Sequence, residues 1–315
     1  MVARRRRPEE AALGRAYERT ERRPAGRCWG RDEGKNMTLP TDFQFSQGSL
    51  QDYVDCPRRF QLHHLQRVAW PAIEAEPALE NERFMQQGAA FHRLVHQQLL
   101  GLPVEQLSRL VTDPDLSRWW RNYLENRPAD LLPPTYYPES LLSAPIGDYR
   151  LVARYDLVAV DTGRRAAIVD WKTSRRRSPR RWLAERLQTQ VYPYLLVQAG
   201  AHLNGGQPLE PEQVEMIYWF ADFPDQPERF AYDAAQYKAD EAYLESLVEQ
   251  IASRAAEDDG FPLTTERRHC RHCRYRSLCR RGVEAGRLDD EPGERGLDAE
   301  PDAYFDFEQI AEIEY

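Results

Sequence analysis

The chain has 315 residues, 41% apolar and 30% charged, a globular composition near the upper size that one hydrophobic core serves. Its net charge of −8 is segregated: residues 284–315 carry 12 acidic side chains against 2 arginines, whereas residues 1–37 carry 11 basic against 6 acidic. The longest nearly apolar stretches, Leu151–Val160 and Val191–Val197, are far short of the roughly 20 residues of a membrane span, and Arg4–Arg7 lead into no apolar run, so a soluble, cytoplasmic protein is expected.

Residues 1–37 and 284–315 lack apolar periodicity and read as a basic extension and an acidic tail, both disordered, around a domain at 38–283. Met37, followed by Thr-Leu-Pro, reads as an alternative start. Ser46 is placed to cap a helix that Cys56-Pro57 interrupts, with Pro57 opening a second helix through Phe60 and Leu65. Phe84, Phe91, Leu94, Val95 and Leu99 predict a helix over 78–100, and a further helix is expected over 107–124. After Pro133-Pro134 the period changes, predicting strands over 136–144, 150–160 and 165–171, joined by turns at Gly147-Asp148 and Asp161-Thr162-Gly163. A helix over 188–198, a strand over 214–220 and a helix over 234–256 complete a mixed α/β domain.

Two carboxylates interrupt strands that should be buried. Asp156 lies within Leu151–Val160, and Asp170 ends Ala-Ala-Ile-Val-Asp, followed by Trp171-Lys172-Thr173. Asp170 and Lys172 share one strand face at two-residue spacing. A lone buried carboxylate is costly, whereas paired carboxylates can face a divalent cation. The chain has three lysines (Lys35, Lys172, Lys238) against 40 arginines, so a lysine kept at position 172 is informative. Lysine can exchange a proton near neutrality and arginine cannot. The bland reading of Asp170 and Lys172 is an ordinary ion pair at a strand end.

In order along the chain, Gly88-Ala-Ala-Phe-His92, Asp156, Asp170-Trp-Lys172 and Gln190-Val-Tyr-Pro-Tyr194 resemble the PD-(D/E)XK nuclease superfamily, and its RecB-type branch more narrowly. The resemblance runs from about Phe43 to Cys279 and implies a restriction-endonuclease-like mixed central sheet flanked by helices. It implies Mg²⁺ or Mn²⁺ held by Asp156, Asp170, the Trp171 carbonyl and His92, with Lys172 serving the attacking water. Gln190 and Tyr194 are placed beside the site, to contact nucleic acid or support Lys172; without the resemblance they read as a helix face packed on the sheet. The chain departs from the family in having Ala153, where a glycine often precedes the first metal-binding aspartate by three residues.

Of the five cysteines, Cys270, Cys273 and Cys279 form a C-x2-C-x5-C cluster, which in a cytoplasmic protein points to metal rather than disulfides. Cys56-Pro-Arg-Arg-Phe60 supplies a fourth, and members of the same branch, similar to AddB-type subunits and CRISPR-adaptation exonucleases, hold an iron–sulfur cluster in this way. The resemblance therefore implies a [4Fe–4S] cluster on Cys56, Cys270, Cys273 and Cys279 that joins the two ends of the domain, with zinc as the other occupant of four thiolates. His269 and His272 are spare ligands, and Cys28 has no partner in this scheme.

Arg175, Arg176, Arg177, Arg180 and Arg181 follow the Asp-x-Lys strand and are expected to meet the DNA backbone with little sequence specificity. The expected function is a divalent-metal-dependent DNA nuclease, an exonuclease on ends or single strands in repair, recombination or foreign-DNA processing. Without a Walker A motif in the sequence, any helicase is a separate partner. The alternative of a different class is a non-catalytic iron–sulfur module that binds DNA ends, or an accessory subunit of a helicase–nuclease; an endonuclease is the alternative among enzymes.

Overall fold

A computed structural model describes residues 38–69, 78–127, 132–257 and 260–286. The basic extension with Cys28, and the acidic tail beyond residue 286, lie outside them. None of the described helices is long and apolar enough to cross a membrane.

A short strand, β1 (Gln44–Ser46), runs directly into α1 (Gln47–Asp55). Ser46 Oγ accepts from Ser49 N at 3.1 Å and Ser49 Oγ accepts from Ser46 N at 2.9 Å, a reciprocal cap that fixes the start. Cys56 is extended (φ −164°) and ends α1; Pro57 then opens α2 (Pro57–Phe60), continued by one π turn over Gln61–Leu65. The long α3 (Ala78–Leu99) follows. The single helix expected over 107–124 is instead two, α4 (Val104–Ser108) and α5 (Pro114–Asn126). Asp113 is responsible: its side chain accepts from Leu116 N at 3.0 Å and caps α5, while Pro114 cannot extend a preceding helix.

The sheet is built on β3 (Tyr149–Asp161). β2 (Thr135–Ile146) pairs antiparallel along one edge, from Thr135 opposite Val160 to Ile146 opposite Tyr149. The other edge is shared: β1 pairs parallel with Arg150–Val152, and β4 (Arg165–Lys172) pairs antiparallel with Leu157–Asp161. Between these partners the edge of β3 is open at residues 153–156. β4 pairs parallel with β5 (Val214–Phe220), which requires a crossover; α6 (Arg180–Ala184) and α7 (Leu187–Ala199) supply it. β6 (Phe223–Ala231) closes the sheet as an antiparallel edge, and α8 (Ala234–Ala255) follows. Pro224 and Pro227 hide β6 from a sequence reading, but an edge strand tolerates proline because its outer N–H groups need no ladder partner.

Each face of the sheet has its own core. On one, Ile168, Met216 and Tyr218 pack with Leu50, Val191, Leu195, Leu244 and Ile251 of α1, α7 and α8. On the other, Val169, Trp171, Ile217 and Trp219 pack with Phe91 of α3 and Trp119 and Tyr123 of α5. Alternation is regular in β4 and β5 but slips in the middle of β3: Leu151, Ala153 and Tyr155 share the first face, and Val158 and Val160, not Leu157, continue it. β2 slips at the same level, since Leu142, Ala144 and Ile146 and then Tyr137 join the first core. Glu139, at the slip, has φ +50°. The paired slip turns Asp156 away from its regular place on the strand, toward the open edge.

α8 carries a buried carboxylate. Asp240, 2% exposed, accepts from Tyr232 Oη at 2.9 Å and Gln236 Nε2 at 2.7 Å, and burial pushes its pKa up to about 6 from 3.8. A raised carboxylate pKa means the folded state binds the proton more tightly, so stability falls as pH rises from about 4 to about 6. The expected loss attributable to Asp240 is on the order of 2 kcal/mol. Denaturant melts across that range should show the slope shrinking in Asp240→Asn by about this amount; identical slopes would contradict the burial account.

Candidate active site

Asp156 and Asp170 are the residues just past the point where β3 and β4 part. Their last ladder pair is Leu157 opposite Val169, and the next backbone donor along β4, Trp171 N, donates to Asp156 Oδ2 at 2.8 Å. The other oxygen, Oδ1, lies 3.1 Å from His92 Nδ1 on α3. Gly88, one turn before His92, lets α3 approach: a Cβ there would lie 3.0 Å from Thr173 Oγ1, just past the end of β4. Burial opposes ionisation of both partners, but each stabilises the other's charge. The Asp156 pKa is lowered by His92, the Trp171 N–H and Lys172; the His92 pKa, which burial alone would lower, is pushed up to about 9 by Asp156 with help from Asp170.

Asp170 and Lys172 follow Ile168 on the first face and meet α7 there. Lys172 Nζ lies 3.1 Å from Asp170 Oδ2 and donates to Gln188 Oε1 at 3.1 Å, while Gln188 Nε2 donates to Asp170 Oδ1 at 2.5 Å. All three are buried, and Lys172 Nζ sits 5.6 Å over the Tyr218 ring. The Trp171 side chain lies in the opposite core.

The structure sets Gln188, rather than Gln190 two residues later, against Asp170 and Lys172. Gln190 Oε1 is buried without a hydrogen-bond partner among the described residues, and Tyr194 stacks on Tyr237 of α8 at 5.5 Å. The same four-residue spacing occurs as Gln188-Thr-Gln-Val-Tyr192, and Tyr192 packs at 4.9 Å against Tyr155, whose hydroxyl donates to the Tyr192 carbonyl at 2.9 Å. Two overlapping frames are present in the sequence, and only packing against β3 and β4 distinguishes them.

The family model of the PD-(D/E)XK nuclease superfamily matches residues 44–280. The chain belongs to this superfamily. Among solved structures, SSO0001 overlaps 75% of this chain and 85% of its own length at 14% identity, with a TM-score of 0.37. A candidate exonuclease from Eubacterium rectale overlaps 68% of this chain and 81% of its own at 7% identity, with a TM-score of 0.43. A search of the curated proteins finds no match. PD-(D/E)XK nucleases typically use Mg²⁺ or Mn²⁺. Oxygen donors from two carboxylates beside one imidazole suit such a cation.

The five arginines beyond this nuclease's β4 differ in their surroundings. Arg177 and Arg180 both pair with Glu228 of β6, Arg180 at 2.8 Å and also over the Phe230 ring at 4.2 Å. Arg175 lies 3.2 Å from Asp115 and over the Phe84 ring at 5.1 Å. Arg181 pairs with Glu185 at 3.2 Å, and Arg176 is exposed. Glu228 thus offsets part of the positive charge expected there.

The four cysteines of the domain are free thiols drawn into one region. Burial pushes Cys273 up to about 11, with Cys279 and Cys56 adding to the rise and Arg59 opposing it; Cys279 is raised by burial, Cys56 and Cys270. The C-terminal segment is fastened to the first helices without help from the thiols. Arg58 N donates to the Pro262 carbonyl at 3.2 Å, Tyr275 Oη donates to the Val68 carbonyl at 3.1 Å, and Phe261 stacks on Phe60 at 5.8 Å. His269 faces Asp55 at 3.4 Å. Beside this region Asp52 Oδ2 lies 2.9 Å from His63 Nδ1 and 3.0 Å from His64 Nε2, a set the sequence reading missed. Arg59 Nε lies 2.6 Å from Asp52 Oδ1, so a cation already balances that carboxylate.

Gln188→Ala should lower nuclease activity on the order of 10- to 100-fold, the usual effect of removing a partner that orients a site residue. Gln190→Ala should leave it near wild type at an unchanged melting temperature. The opposite order would return the role to Gln190.

Proposed function

We propose that this nuclease is a divalent-metal-dependent deoxyribonuclease, an exonuclease on DNA ends or single strands, that works with little sequence specificity. The observation that supports this reading is that Asp156, held by His92 and Trp171 N, and Asp170, held by Lys172 and Gln188, stand next to each other on adjoining strands where the β3–β4 ladder ends. Asp156, Asp170, the Trp171 carbonyl and His92 would hold Mg²⁺ or Mn²⁺. When bound, the cation lowers the pKa of water and neutralises charge on the phosphodiester. Lys172, held against Asp170 and Gln188, would exchange a proton with the attacking water; arginine could not do this near neutrality. Gln188 would keep both groups in place. Arg176, and Arg175, Arg177, Arg180 and Arg181 once released from their carboxylates, would contact the backbone phosphates.

The cysteine site belongs to the same proposal. Cys56, Cys270, Cys273 and Cys279 would bind a [4Fe–4S] cluster, with zinc as the alternative occupant. Burial and mutual repulsion raise the Cys273 and Cys279 pKa values, so bringing thiolates together there calls for a compensating cationic centre. The nearby Arg58 and Arg59 support the same charge state. Its role would be to fasten α2 to residues 270–279, closing a loop that spans most of the domain. Action in repair, recombination or foreign-DNA processing, beside a separate helicase, is the cellular setting this chemistry suits.

Anaerobically purified protein, incubated with end-labelled linear DNA and Mg²⁺ or Mn²⁺, should degrade it and spare a covalently closed circle. Asp170→Ala should lose essentially all of this activity while still binding DNA. Equal inertness of both proteins would contradict the catalytic reading, and cleavage of the circle would make the enzyme an endonuclease. Cys273→Ser should remove a broad absorbance near roughly 400 nm and the bound iron; stoichiometric zinc in the unmodified protein would overturn the cluster.

A further inference from the structure

Three non-glycine residues among those described have φ above +20°, Arg67, Glu139 and Arg280, and Glu139 is the one within a strand. L-residues other than glycine, asparagine and aspartate visit this conformation at a cost, and such strain concentrates at functional sites. Glu139 lies directly across the ladder from Asp156, because the pairs on either side are Pro138 with Leu157 and Ser140 with Tyr155. It also marks the level at which both strands slip in their alternation. The charges that act on it are those of Asp156 and Arg154 on β3 and of His92 and His96 on α3, so it lies within electrostatic reach of the α3 side of the site. Arg154 Nε lies 3.4 Å from its carboxylate, but that pair is partly exposed and of the kind that contributes little.

Two features here oppose stability in the metal-free chain: a left-handed glutamate within a strand, and two carboxylates opposite each other on neighbouring strands. Both become favourable if a divalent cation lies between the carboxylates, since oxygen ligands from separate elements are what such a cation gathers. We propose that Glu139 is a further carboxylate of the divalent-cation site, presented from β2 opposite Asp156. The proposal rests on the reading of Asp156 and Asp170 as that site, and adds a residue that no motif of the sequence reading contains.

The test is Mn²⁺ binding to the full chain without DNA, by calorimetry or by the electron paramagnetic resonance of free Mn²⁺. The component that vanishes in Asp156→Asn reports this site. Glu139→Gln should weaken that component by about 10-fold or more and raise the Mn²⁺ concentration needed for half-maximal cleavage in parallel, at unchanged DNA affinity. Glu139→Gly suits the backbone, so it should raise the metal-free melting temperature while also weakening Mn²⁺. Wild-type Mn²⁺ affinity in both variants would overturn the inference, as would a lowered melting temperature in Glu139→Gly with binding unchanged. A chain that cleaves no DNA yet shows Glu139-dependent Mn²⁺ binding would support the inference and overturn the nuclease reading instead.

Discussion

The Asp156 carboxylate occupies the place of a missing ladder partner. Where β3 and β4 separate, Trp171 N is satisfied by Asp156 Oδ2 rather than by backbone, so the opening in the sheet and the position of the carboxylate are one feature. A buried backbone N–H left unpaired is expensive, and this requirement holds Asp156 at the opening. The remaining geometry follows from it. β4 continues to Lys172 along β5, which directs Asp170 and Lys172 to the first face, where Gln188 meets them. On the other side α3, brought close by Gly88, sets His92 against the second oxygen of Asp156.

This arrangement separates support from chemistry. Phe91, Trp119, Tyr123, Trp171 and Trp219 form an aromatic layer beneath α3, with Phe91 stacked on Trp219 at 6.2 Å and Tyr123 edge-on to Trp171 at 5.5 Å. Close-packed rings have few alternative arrangements, so His92 inherits its position from a rigid layer. The segment 260–281 is tied to α1 and α2 by backbone and aromatic contacts. These contacts bring the segment that carries Cys270, Cys273 and Cys279 against the helices on either side of Cys56.

Much of this was legible in the sequence because local chemistry determines it. Ser46, Cys56-Pro57 and the apolar runs of β3, β4 and β5 set element boundaries that the structure reproduces within a residue or two. Asp113-Pro114 carried its signal too, a cap followed by a first-turn proline, and breaks the helix expected over 107–124. What escaped depends on distant pairing. β6 has two prolines and is a strand only as the outer partner of β5. The choice between Gln188 and Gln190 is invisible to spacing, because both have a tyrosine four residues later. Glu139 has no local mark at all; its importance appears only when β2 lies on β3 and places it across from Asp156. The pairing of Arg177 and Arg180 with Glu228 likewise joins residues about fifty positions apart.

In the proposed mechanism the opening between β3 and β4 is a divalent-cation site. Crystals soaked in Mn²⁺ and measured at the manganese absorption edge locate the ion without reference to activity. An anomalous peak is expected between the carboxylates of Asp156 and Asp170, within about 2.5 Å of an oxygen of each. Manganese bound instead at Asp52, His63 and His64, or no ordered ion near Asp156, would contradict it.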